Sequence, residues 1–131
     1  MSGAAWVKPL RRRRTWLAMW WLAIATVVLA CLLPGSDLPS IPVSDKLEHA
    51  LAFFALSASA VQLFRRGMPL LLVAGGLLLL GAAIEIAQHL FTTSRAMELG
   101  DLVADALGIA AGLATAWTPL GDLLLKLDRP V

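Results

Sequence analysis

The chain has one cysteine in 131 residues, two histidines and few charged side chains. Cys31 sits alone in an apolar run, which excludes an intrachain disulfide and argues against a cysteine-built metal cage. Charged residues make up 15%, where soluble chains carry about a quarter. No internal repeat and no low-complexity linker divides the chain, and its length leaves no room for a separate soluble module. The basic residues flank apolar runs instead of forming a patch of their own. They therefore read as topology signals, and nucleic acid is not an expected partner.

What the chain has in quantity is apolar sequence: 59% hydrophobic residues and a mean hydropathy of +0.77. Four apolar runs stand out, at residues 15–33, about 46–64, 69–91 and about 101–120. Each approaches the ~20 residues that cross ~30 Å of hydrocarbon as a helix. Pro34, Pro39 and Pro42 make the first connection an extended or turning loop, because proline lacks the N–H a helix needs. The expected fold is an all-α membrane protein, a four-transmembrane-helix bundle over 15–120. A basic segment, 1–14, precedes it. A tail, 121–131, follows, with Asp122 and Lys126 spaced as a helical pair. RRRRTWLAM followed by an apolar run also has the look of a signal peptide. The run is longer than the 7–15 residues of a signal core and continues through Leu32 and Leu33, so an uncleaved first helix is the preferred reading.

Lysine and arginine set the expected orientation. Lys8, Arg11–Arg14, Arg65, Arg66, Lys126 and Arg129 fall on one side, which is nine of the 11 basic residues; Lys46 and Arg95 fall on the other. The positive-inside rule then places both termini in the cytoplasm. The acids run opposite: only Asp122 and Asp128 lie on the basic side.

Polar residues converge at the outer ends of three helices. Asp45 and His49 open the second, Glu85 and Gln88 lie in the last turns of the third, and Asp101 and Asp105 open the fourth. Spacings of three and four put each pair on one helical stripe. Glu85 is the informative member. A charge at the centre of a spanning helix costs roughly 2.5–3.5 kcal/mol, so a carboxylate near that depth persists only if paired, hydrated or protonated. The partners within reach in the sequence are Lys46, His49 and Arg95. Glu48 reads as a first-turn surface residue and His89 as facing the interface. Ala104, Gly108 and Gly112 form a small-residue stripe for close helix packing. The tryptophans read as interfacial anchors or packing.

The ordered elements Asp45-Lys46-x-x-His49, Glu85-x-x-Gln88, Arg95 and Asp101-x-x-x-Asp105-x-x-Gly108 resemble the VanZ-like family of small membrane proteins. That family is associated with glycopeptide resistance, notably to teicoplanin. The resemblance covers about residues 30–113. It implies a multi-pass protein of the bacterial cytoplasmic membrane, with functional candidates at Asp45, Lys46, His49, Glu85, Gln88, Arg95, Asp101 and Gly108. Asp105 departs from it, since the family commonly has asparagine there. An ionised carboxylate cannot supply an amide's hydrogen-bond donors. The family's biochemical activity is poorly defined, so the resemblance names a class and no reaction.

Three readings of function follow. One is a non-catalytic envelope protein whose outer polar pocket binds a lipid-linked or cell-wall component or a glycopeptide. Another is a membrane enzyme acting on such a lipid-linked substrate, with His49 and Glu85 as acid and base and Lys46 or Arg95 holding a phosphate. No serine or threonine has a nucleophile's setting, and the catalytic residues are otherwise unassigned. The last is a proton- or cation-coupled transporter, against which the polar residues stop in the outer half. No cofactor is expected. With one imidazole and no fixed ligand spacing, no metal site is expected either. The ligand and the oligomeric state are not legible.

Overall fold

The computed structural model describes residues 6–32, 45–91 and 99–130. They are all-helical: α1 Arg13–Leu32, α2 Asp45–Leu63, α3 Met68–Phe91, α4 Leu99–Ala114 and a short α5, Leu123–Leu127. Three helical stretches are long and apolar enough to cross a membrane, Arg13–Leu32, Met68–Leu90 and Leu99–Trp117. The second apolar run is not among them, although it forms a 19-residue helix. Asp45, Lys46 and Glu48 in its first turn lower its hydropathy.

The long helices alternate in direction. Trp20 near the start of α1 donates its indole N–H to Leu56 O of α2, while Cys31 near the end of α1 meets Gln88 of α3. α2 and α4 run parallel and form the most extensive helix pair. The reason is the small stripe of α4. A Cβ on Gly108 would collide with Ala50 O, and one on Gly112 with Ser57 Oγ and with Phe54 O at 2.8 Å. With no side chain at either position, the two backbones touch, as in other small-xxx-small contacts.

Each helix hides one stripe. On α3 it runs Leu70, Ala74, Leu77, Gly81, Ile84–Glu85, Gln88, and on α4 Asp101, Ala104–Asp105, Gly108–Ile109, Gly112. On α2 it includes His49, Phe53, Leu56–Ser57 and Ala60–Val61. Spacings of three and four keep these residues on one face. The opposite faces are apolar too, with Met19, Trp21 and Leu29 of α1 and Leu71, Leu79 and Leu90 of α3 exposed. Helices apolar all round suit a lipid solvent.

α4 ends sooner than its apolar run. It tightens into a 3-10 turn, Thr115–Trp117, and stops where Thr118 is extended (φ −105°, ψ 165°). Pro119 dictates this: it lacks the N–H and disfavours helical dihedrals at the residue before it. The chain then turns back, and α5 packs on α2.

At this end the N-terminal segment is clamped. Val7 bridges to Phe64, Lys8 N–H donates to Leu63 O at 2.8 Å, and Arg65 N–H to Trp6 O at 2.8 Å. The Lys8 ammonium is buried and reaches Val61 O (2.7 Å), Gly121 O (3.0 Å) and Asp122 Oδ1 (2.7 Å). Asp122 and Lys126 stand one turn apart, with Lys126 N–H donating to Asp122 O at 3.0 Å, but the Asp122 carboxylate also bonds Lys8, and Arg66 lies 3.7 Å from its other oxygen. Spacing along a helix could suggest only the local partner; the stronger one comes from 114 residues away. Asp128 accepts from Arg12 N–H (2.8 Å) and from the Trp16 indole (3.0 Å).

Candidate functional site

The polar members of the buried stripes meet at the end where α2 and α4 begin. His49 lies about 6 Å, and Glu85 and Asp105 each about 9 Å, along the axis from the nearest ends of their helices, at 1.5 Å rise per residue. His49 Nδ1 is 2.9 Å from Asp105 Oδ1 and 3.9 Å from Glu85 Oε1. All three side chains are buried, Asp105 completely. The contact holds the ring against Asp105, and the imidazole tautomer decides which atom carries the hydrogen. The pair fixes the plane of the imidazole and leaves a nitrogen able to take or give a proton.

Gly81 is part of this site. It stands one turn from Glu85 on the same stripe, and a Cβ there would lie 2.6 Å from Asp105 Oδ2. The carboxylate of Asp105 therefore occupies the space a side chain on α3 would fill. Among the described residues, no hydrogen-bond donor reaches Asp105 Oδ2.

The remaining candidates divide. Lys46 Nζ lies 4.0 Å from Asp101 Oδ1, with the lysine side chain 55% exposed and the aspartate buried. Among the described residues, the ion pair of Lys46 is with Asp101. Gln88 donates its amide to Cys31 O at 2.7 Å. The last carbonyls of a helix have no partner within it, and Gln88 supplies one for α1. It ties α1 to α3 beside the cluster. Asp45 opens α2, but its side chain lies outside the described residues, as does all of Arg95. His89 is exposed and Glu48 half-buried.

Two clefts open at the opposite end. One is an apolar groove of about 590 Å³ between α1, α2 and α5, walled by Met19, Phe54 and Leu123. The other, of about 850 Å³, is walled by Pro9 and Arg11–Arg14. Neither touches the cluster. The apolar groove offers almost no polar group to act on a ligand, whereas the cluster concentrates an acid–base residue and two carboxylates in a protein interior. Buried ionisable groups gathered in one place are where chemistry is expected.

Sequence reasoning found His49, Glu85 and Asp105 but not Gly81, although its place four residues before Glu85 was a usable signal. The Lys8–Asp122 contact had none. Comparisons with protein-family models, with curated proteins and with solved structures returned no match.

Proposed function

We propose that the chain is a VanZ-like protein of the bacterial cytoplasmic membrane, a bundle of four transmembrane helices with both termini cytoplasmic. In this reading it acts in the cell envelope, in tolerance of teicoplanin-type glycopeptides, by binding a lipid-linked or cell-wall component at the outer end of the bundle. The observation that carries the proposal is the convergence of His49, Glu85 and Asp105, from three helices, in a buried apolar setting. Replacing buried ionic groups by well-packed apolar ones is often neutral or stabilising by about 1–4 kcal/mol. A fold that keeps three together holds them for a purpose other than packing. The orientation is supported by the nine basic residues at the opposite end.

The His49–Asp105 hydrogen bond favours a second reading, a membrane enzyme acting on a lipid-linked substrate. There His49 Nε2 is the general base and Glu85 the acid. A coupled transporter has less support. Beyond the cluster the buried stripe of α2 continues as Phe53, Leu56, Ser57, Ala60 and Val61, apolar but for one hydroxyl.

The test is to express His49→Ala and Glu85→Gln in a teicoplanin-challenged host lacking the wild-type gene. The expected result is protein at wild-type abundance in the membrane with tolerance reduced to that of the deletion. Full tolerance in both variants, or loss of tolerance only in step with loss of protein, overturns the proposal.

A further inference from the structure

We propose that His49, Glu85 and Asp105 bind one divalent transition-metal ion of the Zn²⁺ or Mn²⁺ class. This rests on the reading of the same cluster as the working centre and gives that centre a ligand of its own.

The spacing fits. Each residue offers one ligand atom, and all three atoms lie within 4.8 Å of one another. The two distances from Nδ1 are 2.9 and 3.9 Å. With bonds of about 2.0–2.2 Å, neighbouring ligands stand about 3.0 Å apart in octahedral and about 3.4 Å apart in tetrahedral coordination. The two distances bracket those values, and the third pair, Glu85 and Asp105, lies within 4.8 Å.

The donor set selects the ion. One imidazole and two carboxylates suit Zn²⁺ or Mn²⁺. Ca²⁺ prefers six to eight oxygens, and there is no thiolate for a soft ion. Charge selects the valence. With a neutral imidazole, the two carboxylates of the ligand set match the charge of one dication. In a buried setting, where an uncompensated charge is costly, that balance is a strong constraint.

A second observation points to a cation. Asp105 Oδ2 is fully buried, and no donor among the described residues reaches it. It lies against the missing side chain of Gly81, one turn from Glu85. This gives the Asp105 carboxylate room to turn toward an ion between α2, α3 and α4. The sequence reading expected no metal because its ligands carry no spacing signature. They sit 36 and 20 residues apart on three helices and meet only through packing.

The experiment uses the full chain purified in detergent, stripped with a chelator and titrated with Mn²⁺. We expect one bound Mn²⁺ per chain, displaced by Zn²⁺, with nitrogen coupling from the imidazole in pulsed electron paramagnetic resonance. His49→Ala should abolish that coupling. Asp105→Asn should weaken binding by about 100-fold, at or beyond what supporting residues around a metal cost. Asp101→Asn, outside the ligand set, should bind as wild type. The absence of saturable binding to the folded wild-type chain, or nitrogen coupling that survives His49→Ala, overturns the proposal whatever the variants' stability. If no ion binds and yet His49→Ala abolishes tolerance, the metal falls and the functional reading stands. If the ion binds as expected and tolerance survives both His49→Ala and Glu85→Gln, the metal stands and the functional reading falls.

Discussion

Asp105 shows how much one residue can be asked to do inside a helical membrane protein. Its carboxylate holds the His49 imidazole at 2.9 Å, fits the gap at Gly81 and is wholly removed from solvent. The glycines around it differ sharply in what they tolerate. Gly112→Ala would drive a Cβ into Ser57 and to 2.7 Å from Ala58 N, backbone that cannot swing aside. Overpacking of this kind costs about 1–3 kcal/mol. Gly75 has nothing within 4 Å of the corresponding position. Gly75→Ala should therefore be neutral, or stabilising by up to about 1 kcal/mol from helix propensity. Melting of the two variants in detergent checks the contrast. A Gly112→Ala protein as stable as wild type would contradict the close α2–α4 contact. The Lys46–Asp101 pair should be weak, because Lys46 is 55% exposed and 4.0 Å away. A double-mutant cycle with Lys46→Met and Asp101→Asn should give a coupling of at most about 1 kcal/mol.

Among the described elements, the N-terminal segment is held through two carboxylates that acid should neutralise. Asp122 is held below the usual carboxylate range, chiefly by its hydrogen bond from Lys8 and against the opposing effect of its partial burial. Asp128 is held below it chiefly by the Arg12 backbone N–H, with the Trp16 indole adding to the effect. A carboxylate depressed in the folded state stabilises the fold above its unfolded pKa, about 3.9, and that contribution is lost as pH falls through the lower folded value. The clamp should thus be indifferent to pH from about 5 to 8 and loosen only below about 4. Fluorescence of Trp16 and Trp6, read against a variant lacking both, should change in that acid window. Asp122→Asn should remove part of the change and destabilise the protein by about 1 kcal/mol at neutral pH, a modest figure because its side chain is 42% exposed. A transition centred near pH 6 would point to another group.

For the whole molecule, the question is whether α2 crosses the membrane. It lacks the apolarity of the three candidate spans, yet its 19 residues are about 28 Å long, close to the hydrocarbon thickness. It also packs against α1, α3 and α4, and His49 in its second turn faces protein. If it crosses, the number of spans is even and both termini share a side. Reporter fusions at each end should both report cytoplasm. Opposite sides would reduce the chain to three spans and move the cluster to a different depth.

Composition and hydropathy were enough to determine an all-helical protein with apolar spans, because lipid leaves the backbone few ways to satisfy its hydrogen bonds. Local spacing was also enough to put Asp101 with Asp105, Glu85 with Gln88 and Gly108 with Gly112 on common stripes, since helical periodicity is a property of neighbours in the chain. Which stripe faces which was decided only by tertiary packing. His49 could have met Asp101, Lys46 could have met Glu85, and Asp122 had a helical partner ready in Lys126. The close contact permitted by Gly108 and Gly112 sets the register of α2 against α4 and brings His49 to Asp105, while Gly81 admits the carboxylate beside Glu85. Those choices depend on which side chains are absent between helices, a relation between distant residues that one-dimensional spacing does not carry.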